Sequence, residues 1–255
     1  MASRELGAAL EAARAAAEII ARHYRSKLAV ELKADRSPVT AADLQAEQAI
    51  CAVLSARFPG YGFYGEETGQ HAMDAENIWL VDPLDGTKSF VRDCPFFSTQ
   101  IALWRAGELV LGVSSAPAYG ELAWAEQGAG AFLDGRPIRV SGVSALRDAI
   151  MSTGNLKTLA ASGTGWSRYG ALVAQVSRLR GYGDFLHYHL LARGALDVVM
   201  ESDVHILDIA ALSVIVREAG GIVTGLDGSA LDFDSTTVLA ANAALHAPVL
   251  EAMQE

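Results

Sequence analysis

The sequence lacks any apolar run that approaches the ~20 residues a membrane-spanning helix needs. Its first residues include Arg4 and Glu5 and have no uninterrupted apolar core, so they do not resemble a secretory signal peptide. No run of lysine and arginine forms a basic stripe, and the formal net charge is −10. These absences predict a cytoplasmic protein that neither enters a membrane nor binds a nucleic acid polymer.

Cysteine is scarce as well. Cys51 and Cys94 are the two cysteines of the sequence, and they form no Cys-x-x-Cys pair. This usage is typical of a reducing compartment and gives no zinc signature. The histidines also lack the spacing of a metal site, and we interpret the following as surface or core residues: His71, His187, His189, His205 and His246.

Apolar residues, in contrast, are abundant: 51% of the 255 residues are hydrophobic and 20% are charged. A chain of this size and composition can bury a substantial core, either as one large domain or as two small ones. Because the formal charge is negative, a small anionic substrate would need a metal ion or local hydrogen-bond donors to offset it.

The hydrophobic pattern changes near residue 140. Before it, two amphipathic helices over about 3–28 and 40–58 precede a series of antiparallel strands. After it, strands alternate with helices, which is typical of a layered α/β arrangement. We predict an N-terminal half over 1–140 and a C-terminal half over 141–255, in one compact unit with the active site between them.

The individual elements are predicted as follows. The strands of the first half are 61–65, 78–81, 97–104, 109–115 and 121–125, followed by a hairpin over 128–140. The second half has strands at 150–152, 179–183, 197–200, 222–223 and 238–239, and helices at 166–178, 185–192, 208–219 and from about 244. Residues 29–37 are predicted as an irregular hairpin or loop, and residues 68–77 as a polar loop. The second helix is expected to bury Leu44, Ile50, Val53 and Leu54.

One stretch carries chemistry: Asp82-Pro-Leu-Asp85-Gly86-Thr87, directly after the apolar run 78–81. The proline removes a backbone donor, so we expect sheet pairing to stop there. Two carboxylates and a carbonyl oxygen on such a loop are the ligand set of a hard cation such as Mg²⁺. An ordinary turn, with Asp and Gly in turn positions, would have the same pattern.

Four stretches in one order resemble the inositol monophosphatase superfamily. They are residues 37–43 (Ser-Pro-Val-Thr-Ala-Ala-Asp), residues 65–67 (Gly-Glu-Glu), the stretch at 82–87, and residues 207–212 (Leu-Asp-Ile-Ala-Ala-Leu) leading into residues 217–221 (Arg-Glu-Ala-Gly-Gly). The similarity extends over about residues 33–242. It implies an αβαβα sandwich, a Mg²⁺-dependent and lithium-sensitive phosphomonoesterase with two to three metal ions per site, and a homodimer.

The resemblance also implies ligands. Glu66, Asp82 and the Leu84 carbonyl would hold a first metal ion, and Asp82, Asp85 and Asp208 a second, while Glu66 would help to hold a weaker third. Asp208 begins a helix and could instead be an ordinary cap. Leu207 stands where the family commonly has tryptophan, which raises a question about the packing behind the metal ions.

The catalytic residues implied are Glu66, Thr87 and Asp43. The Thr87 hydroxyl, hydrogen-bonded to Asp43, would orient the attacking water, since a hydroxyl both donates and accepts. The N–H groups of Gly86 and Thr87 would cradle the phosphate. Asp43 could instead be an ordinary acid at a helix N-terminus, where the helix dipole favours it.

The substrate is suggested by Thr87-Lys88 and by Arg180-Gly-Tyr-Gly-Asp184-Phe, followed by Glu201. This pattern resembles the histidinol-phosphate phosphatase branch of the superfamily. It implies hydrolysis of L-histidinol phosphate in histidine biosynthesis, with Asp184 and Glu201 at the cationic alcohol. Asp184 could instead cap a helix that begins at Phe185.

The residues that the resemblance implies for substrate contact are Gly86, Thr87, Asp184, Glu201 and Asp208.

Other interpretations of the function remain open. A different phosphate ester, such as an inositol phosphate, a nucleotide or an aminated metabolite, would be hydrolysed by the same chemistry. A non-catalytic member of the family is also conceivable, although the five acids and Thr87 are all present.

Overall fold

The computed structural model describes residues 3–26, 30–32 and 38–254. The helices in these ranges are α1 (Arg4–His23), α2 (Ala41–Arg57), α3 (Thr87–Phe90), α4 (Lys157–Ala161), α5 (Gly163–Val173), α6 (Asp184–Ala192), α7 (Ile206–Glu218) and α8 (His246–Gln254). None of the described helices is both long enough and apolar enough to cross a bilayer.

The described strands form two large sheets and one separate two-stranded pair. Those up to residue 138 are β1 (Val30–Leu32), β2 (Pro38–Thr40), β3 (Gly62–Gly65), β4 (Gly69–His71), β5 (Asn77–Asp85), β6 (Ser98–Arg105), β7 (Glu108–Ala116), β8 (Glu121–Glu126), β9 (Gly130–Leu133) and β10 (Arg136–Ile138). The remainder are β11 (Ile150–Thr153), β12 (Arg178–Arg180), β13 (Val198–Ser202), β14 (Gly221–Thr224) and β15 (Thr237–Asn242).

The first sheet has eight strands in the order β10-β9-β8-β7-β6-β5-β3-β4, and all its pairs are antiparallel except β3 with β5. The second has five strands in the order β12-β11-β13-β15-β14, with β11 parallel to both of its neighbours. β1 and β2 form a separate antiparallel pair, in agreement with the predicted hairpin; its turn at 33–37 lies outside the described residues.

The elements stack in five layers. α1 and α2 share one apolar core with one face of the eight-stranded sheet. α6 and α7 lie between the two sheets and share a second core with both of them. α5 and α8 cover the outer face of the five-stranded sheet. This arrangement confirms the predicted αβαβα sandwich.

Helix α7 occupies the middle of the molecule. Its buried residues run from Ile206 to Val216 almost without interruption, because it packs against β6 and β7 on one side and against β14 on the other. A helix enclosed in this way is apolar around its circumference rather than along one stripe. Its N-terminus, which carries Asp208, opens onto the site described below.

Several predicted details are wrong. Leu44 is 45% exposed, although it was expected in the core. The polar loop at 68–77 contains the edge strand β4, and the helix predicted over 166–178 begins at Gly163 and ends at Val173. In the sequence, the strands of the eight-stranded sheet all precede residue 140 and those of the five-stranded sheet all follow residue 141. The division into an N-terminal and a C-terminal half stays a prediction.

Candidate active site

The loop at residues 82–87 is held by the end of β5. β5 pairs with β6 as far as Asp82, the register then shifts, and pairing resumes between Asp85 and Ser98. Pro83 therefore interrupts the ladder without ending the strand, which corrects the expectation that pairing stops there. The Leu84 N–H donates to Asp82 Oδ1 at 2.9 Å, so the loop fixes the carboxylate that begins it.

Gly86 lets this loop turn into α3. Its φ is +89°, a conformation that other residues resist, and a Cβ at this position would lie 2.4 Å from the Phe96 carbonyl oxygen. The glycine is therefore required both by the turn and by the close approach of the neighbouring chain. Hydrogen bonding in α3 starts with the Ser89 and Phe90 N–H groups, which donate to the Gly86 carbonyl, so the N–H groups before them have no partner within the helix.

Two carboxylates of this loop meet a third from a distant part of the chain. Oxygens of Asp82, Asp85 and Asp208 all lie within 4.8 Å of one another. Asp208 reaches them from the start of α7, where its Oδ2 also accepts from the His205 N–H at 2.9 Å. Asp208 is thus both a member of the capping box of α7, whose cap residue is His205, and a member of the acidic cluster.

The cluster is electrostatically unfavourable on its own. Burial, followed by the charge of Glu66, raises the pKa of Asp82 well above its ordinary value. Burial, with the charges of Asp184 and Asp208, does the same to the pKa of Asp85. The pKa of Asp208 rises to about 7, again mainly through burial. Oxygen ligands crowded in this way fit a divalent cation, which would offset the repulsion.

Asp43 and Thr87 are joined as predicted. The Thr87 hydroxyl lies 2.9 Å from Asp43 Oδ1 and 3.0 Å from the Leu84 carbonyl oxygen. The other oxygen of Asp43 accepts from the N–H and the hydroxyl of Thr40, both at 2.7 Å, which forms the capping box of α2. The carboxylate therefore caps a helix with one oxygen and holds Thr87 with the other.

The turn that carries Glu66 depends on Glu47, a residue that the sequence reasoning missed. Glu47 is fully buried on α2, and its carboxylate accepts from the N–H groups of Glu67 and Thr68 at 2.9 and 2.7 Å. The Glu66 N–H donates to the Val81 carbonyl on β5. Glu66 is thereby held beside the acidic cluster, whereas Glu67 takes part in the turn through its backbone.

The acidic cluster and the loop at residues 82–87 line a cavity of about 300 Å³ that opens to solvent. The lining side chains and loop residues are Glu66, Asp82, Leu84, Asp85, Gly86, Thr87, Lys88, Ser89, Asn155, Asp184 and Asp208. A smaller adjoining pocket shares four of them and adds Tyr188 and Glu201. All ten residues predicted for the site therefore lie in or directly against one cleft. Among its described lining residues, Lys88 is the positively charged one.

Asp184 is the first residue of α6, and its backbone is strained. Its φ is +46°, a left-handed value that is uncommon outside glycine. Gly183 occupies the cap position, and no side chain caps the helix there. The hypothesis that Asp184 caps a helix beginning at Phe185 is therefore wrong. Burial and then Glu201 raise the pKa of Asp184, while His187 and Lys88 oppose that rise.

Glu201 lies on β13, and its side chain is almost fully buried. Its Oε2 contacts the Tyr188 hydroxyl at 2.8 Å and His187 Nε2 at 3.0 Å, and its Oε1 accepts from the Asn155 N–H at 3.3 Å. His187 is a core residue, as predicted for the histidines, but its contact with a site residue was not foreseen.

Comparison with known proteins agrees with this geometry. A family model described as the inositol monophosphatase family matches residues 2–255. A histidinol-phosphatase of Mycobacterium tuberculosis is 43% identical over 234 residues, which cover 88% of this chain and 87% of that protein. An inositol-1-monophosphatase of Mesorhizobium japonicum is 38% identical over 232 residues, which cover 89% and 87%.

A solved structure extends the match to three dimensions. The crystal structure of extragenic suppressor protein suhB from Bartonella henselae aligns with a TM-score of 0.91 at 35% identity, over 99% of each chain. The family is metal-dependent, in keeping with the acidic cluster of this chain. On its sequence, its fold and its site, this chain belongs to the inositol monophosphatase family and is a phosphatase.

Proposed function

We propose that this chain hydrolyses L-histidinol phosphate to L-histidinol and phosphate with Mg²⁺ as its cofactor. The observation that carries the proposal is a second pair of acids beside the metal cluster. Asp184 lines the main cavity, and Glu201 lines the pocket that adjoins it. Two carboxylates near the leaving group favour a cationic alcohol, and histidinol has a protonated amine and an imidazole.

The residues predicted for the site then have distinct roles. Mg²⁺ held by Glu66, Asp82, the Leu84 carbonyl, Asp85 and Asp208 would neutralise the phosphoryl oxygens and activate water for attack. The Thr87 hydroxyl, fixed by Asp43, orients the attacking water. The N–H groups of Gly86 and Thr87 bind the phosphate.

Two further readings compete with this one. An inositol phosphate is the runner-up, because a relative named as an inositol monophosphatase is nearly as similar and because Glu201 can also accept from a hydroxyl group. A non-catalytic protein is the third. A non-catalytic relative would be expected to have lost at least one of these groups, whereas the acidic cluster and the Thr87–Asp43 hydrogen bond are both intact.

Removal of divalent cations should abolish activity, and Mg²⁺ should restore it. Mg²⁺ should also stabilise the fold, because it binds the assembled acids and relieves their repulsion. At a concentration 100 times its Kd, a ligand of the native state adds about 2.7 kcal/mol to the free energy of unfolding. Thermal unfolding with EDTA and with Mg²⁺ measures this, and an unchanged midpoint would contradict a metal site here. Lithium should inhibit turnover.

The substrate is tested by Asp184→Asn. Asparagine keeps the volume and tolerates the left-handed backbone of residue 184, so the change removes charge alone. Loss of a charge partner should lower kcat/KM for histidinol phosphate by about tenfold to a hundredfold, corresponding to roughly 1.5–3 kcal/mol. Glycerol phosphate has no cation, so its kcat/KM should scarcely change.

The comparison of the two esters decides the outcome. An equal loss on both would make Asp184 a structural residue and remove the main support for a cationic alcohol. If the unaltered protein does not hydrolyse histidinol phosphate, the specific substrate is wrong, whatever the variant does. Asp74→Asn, which neutralises an exposed acid, is the matched control.

A further inference from the structure

A chain of hydrogen bonds runs beneath the cavity from the loop before α6 to Glu201. The Tyr182 N–H donates to Ser152 Oγ at 3.1 Å, and Ser152 Oγ lies 3.3 Å from His187 Nδ1. His187 Nε2 lies 3.0 Å from Glu201 Oε2. The Tyr188 hydroxyl reaches the same oxygen at 2.8 Å. None of these contacts was foreseen from the sequence.

Ser152 Oγ accepts from the Tyr182 backbone N–H and is also in contact with His187 Nδ1, so it connects the loop before α6 to the imidazole. A carboxylate only accepts, so His187 Nε2 is the donor in its contact with Glu201. Burial and Glu201 raise the pKa of Tyr188 well above its ordinary value, so its hydroxyl keeps its proton and donates as well.

Glu201 is thus held by three donors: the His187 imidazole, the Tyr188 phenol and the Asn155 backbone amide. Both side-chain donors bind Oε2, whereas Oε1 has the Asn155 N–H at 3.3 Å and keeps capacity to accept more. Gly154 packs so closely that a Cβ there would lie 1.6 Å from Oε1, which leaves the carboxylate little freedom to turn.

We propose that Ser152, His187 and Tyr188 are positioning residues that hold Glu201 as a fixed anion with Oε1 turned to the donor group of the leaving alcohol. The hydrogen-bond chain ends at Tyr182, two residues before Asp184, so it also ties the two carboxylates of the alcohol site to each other. The three residues come from β11 and α6, while Glu201 lies on β13. This inference rests on the proposed function for the place of the leaving alcohol.

Tyr188→Phe removes the hydroxyl that donates to Glu201 and leaves the volume of the side chain almost unchanged. We expect KM for an ester whose alcohol bears a donor to rise about tenfold, since a hydrogen bond to a charged group is lost, with kcat nearly unchanged. The reference substrate is 4-nitrophenyl phosphate, whose leaving group has no donor, and its KM should stay the same. Tyr169→Phe is the matched control, because Tyr169 is also buried and its hydroxyl contacts Thr153 rather than Glu201.

His187 provides a second test. His187→Gln keeps a donor for Glu201 but loses the rigid ring that contacts Glu201 and Ser152 together, whereas His187→Leu has no polar group for either partner. The glutamine variant should therefore lie between the natural protein and the leucine variant in KM for donor-bearing esters. His246→Gln, at a buried histidine that contacts Thr224, controls for the general cost of replacing a core histidine in thermal unfolding.

The substrate panel separates this inference from the proposed function. It contains histidinol phosphate, inositol phosphate and 4-nitrophenyl phosphate. Turnover of inositol phosphate but not of histidinol phosphate would refute the proposed substrate, and inositol phosphate would then serve as the donor-bearing ester. The inference is overturned if Tyr188→Phe and His187→Gln raise KM by the same factor for every ester that is hydrolysed. It is also overturned if Tyr188→Phe changes KM no more than Tyr169→Phe does.

Discussion

Asp82→Asn is expected to lower kcat/KM at least about 10³-fold and to leave the fold intact. Asp82 is buried in the acidic cluster, and the implied ligand set shares it between the first and second metal ions. Charge stabilisation by bound metal is worth several kcal/mol, and each 1.36 kcal/mol corresponds to a factor of about ten in rate. Loss of the shared ligand should therefore affect every substrate alike.

Stability and metal binding should respond in opposite directions. Without divalent cations, the asparagine variant should unfold at the same temperature as the natural protein or higher, because one of several mutually repelling buried acids has lost its charge. The stabilisation by Mg²⁺ should disappear. Asp74→Asn should keep both activity and the response to Mg²⁺. Substantial activity of Asp82→Asn at saturating Mg²⁺ would refute the bridging role.

Thr87→Ala should lower kcat by about 10²-fold or more and should change KM much less. Its hydroxyl sits between Asp43 and the Leu84 carbonyl, where it is proposed to orient the attacking water. Groups that position a reacting proton contribute about 10²–10⁴-fold, and this contribution is made mainly in the transition state.

Thr87→Ser separates the hydroxyl from the methyl group. The serine variant keeps the donor and should regain most of the lost kcat, whereas a role of the methyl group in packing would leave both variants equally impaired. Steady-state kinetics at saturating Mg²⁺ measure the two parameters. Unchanged kcat with a raised KM in Thr87→Ala would make Thr87 a binding residue instead.

Local signals predicted much of the fold correctly. The helix predicted from residue 3 begins where Ser3 caps α1 through the Leu6 N–H, and the hairpin predicted over 128–140 turns at Asp134-Gly135, which both have positive φ. Such features depend on a few consecutive residues, so the sequence contains them in full. Element boundaries and short edge strands such as β4 depend on neighbours that are distant in the chain.

The error at Leu44 has a specific cause. The buried side of α2 carries Asp43 and Glu47 together with Ile50 and Leu54, so two carboxylates occupy positions where a hydrophobic pattern would place apolar residues. Leu44 is turned outward as a result. Local rules are expected to fail at functional positions, and here both acids support the cleft.

The candidate site was predicted as a set of residues but not as a network. The resemblance to the inositol monophosphatase superfamily implied the ten residues of the cleft, because its motifs are short local stretches that the sequence contains in full. Glu47, His187 and Tyr188 have no such signal. Their contacts arise only when α2 lies beside the turn at 66–68 and when α6 lies beside β13, which the sequence does not specify locally.

The central place of α7 limits how such an enzyme can be divided or recombined. The eight-stranded sheet supplies Asp82 and Asp85, and the helix enclosed between the two sheets supplies Asp208. Neither sheet alone carries a complete set of acids, so the two are not interchangeable modules. An exchange of either sheet with that of a relative would have to preserve both surfaces that enclose α7. Catalytic activity therefore requires the assembled sandwich, and we expect neither sheet to provide it alone.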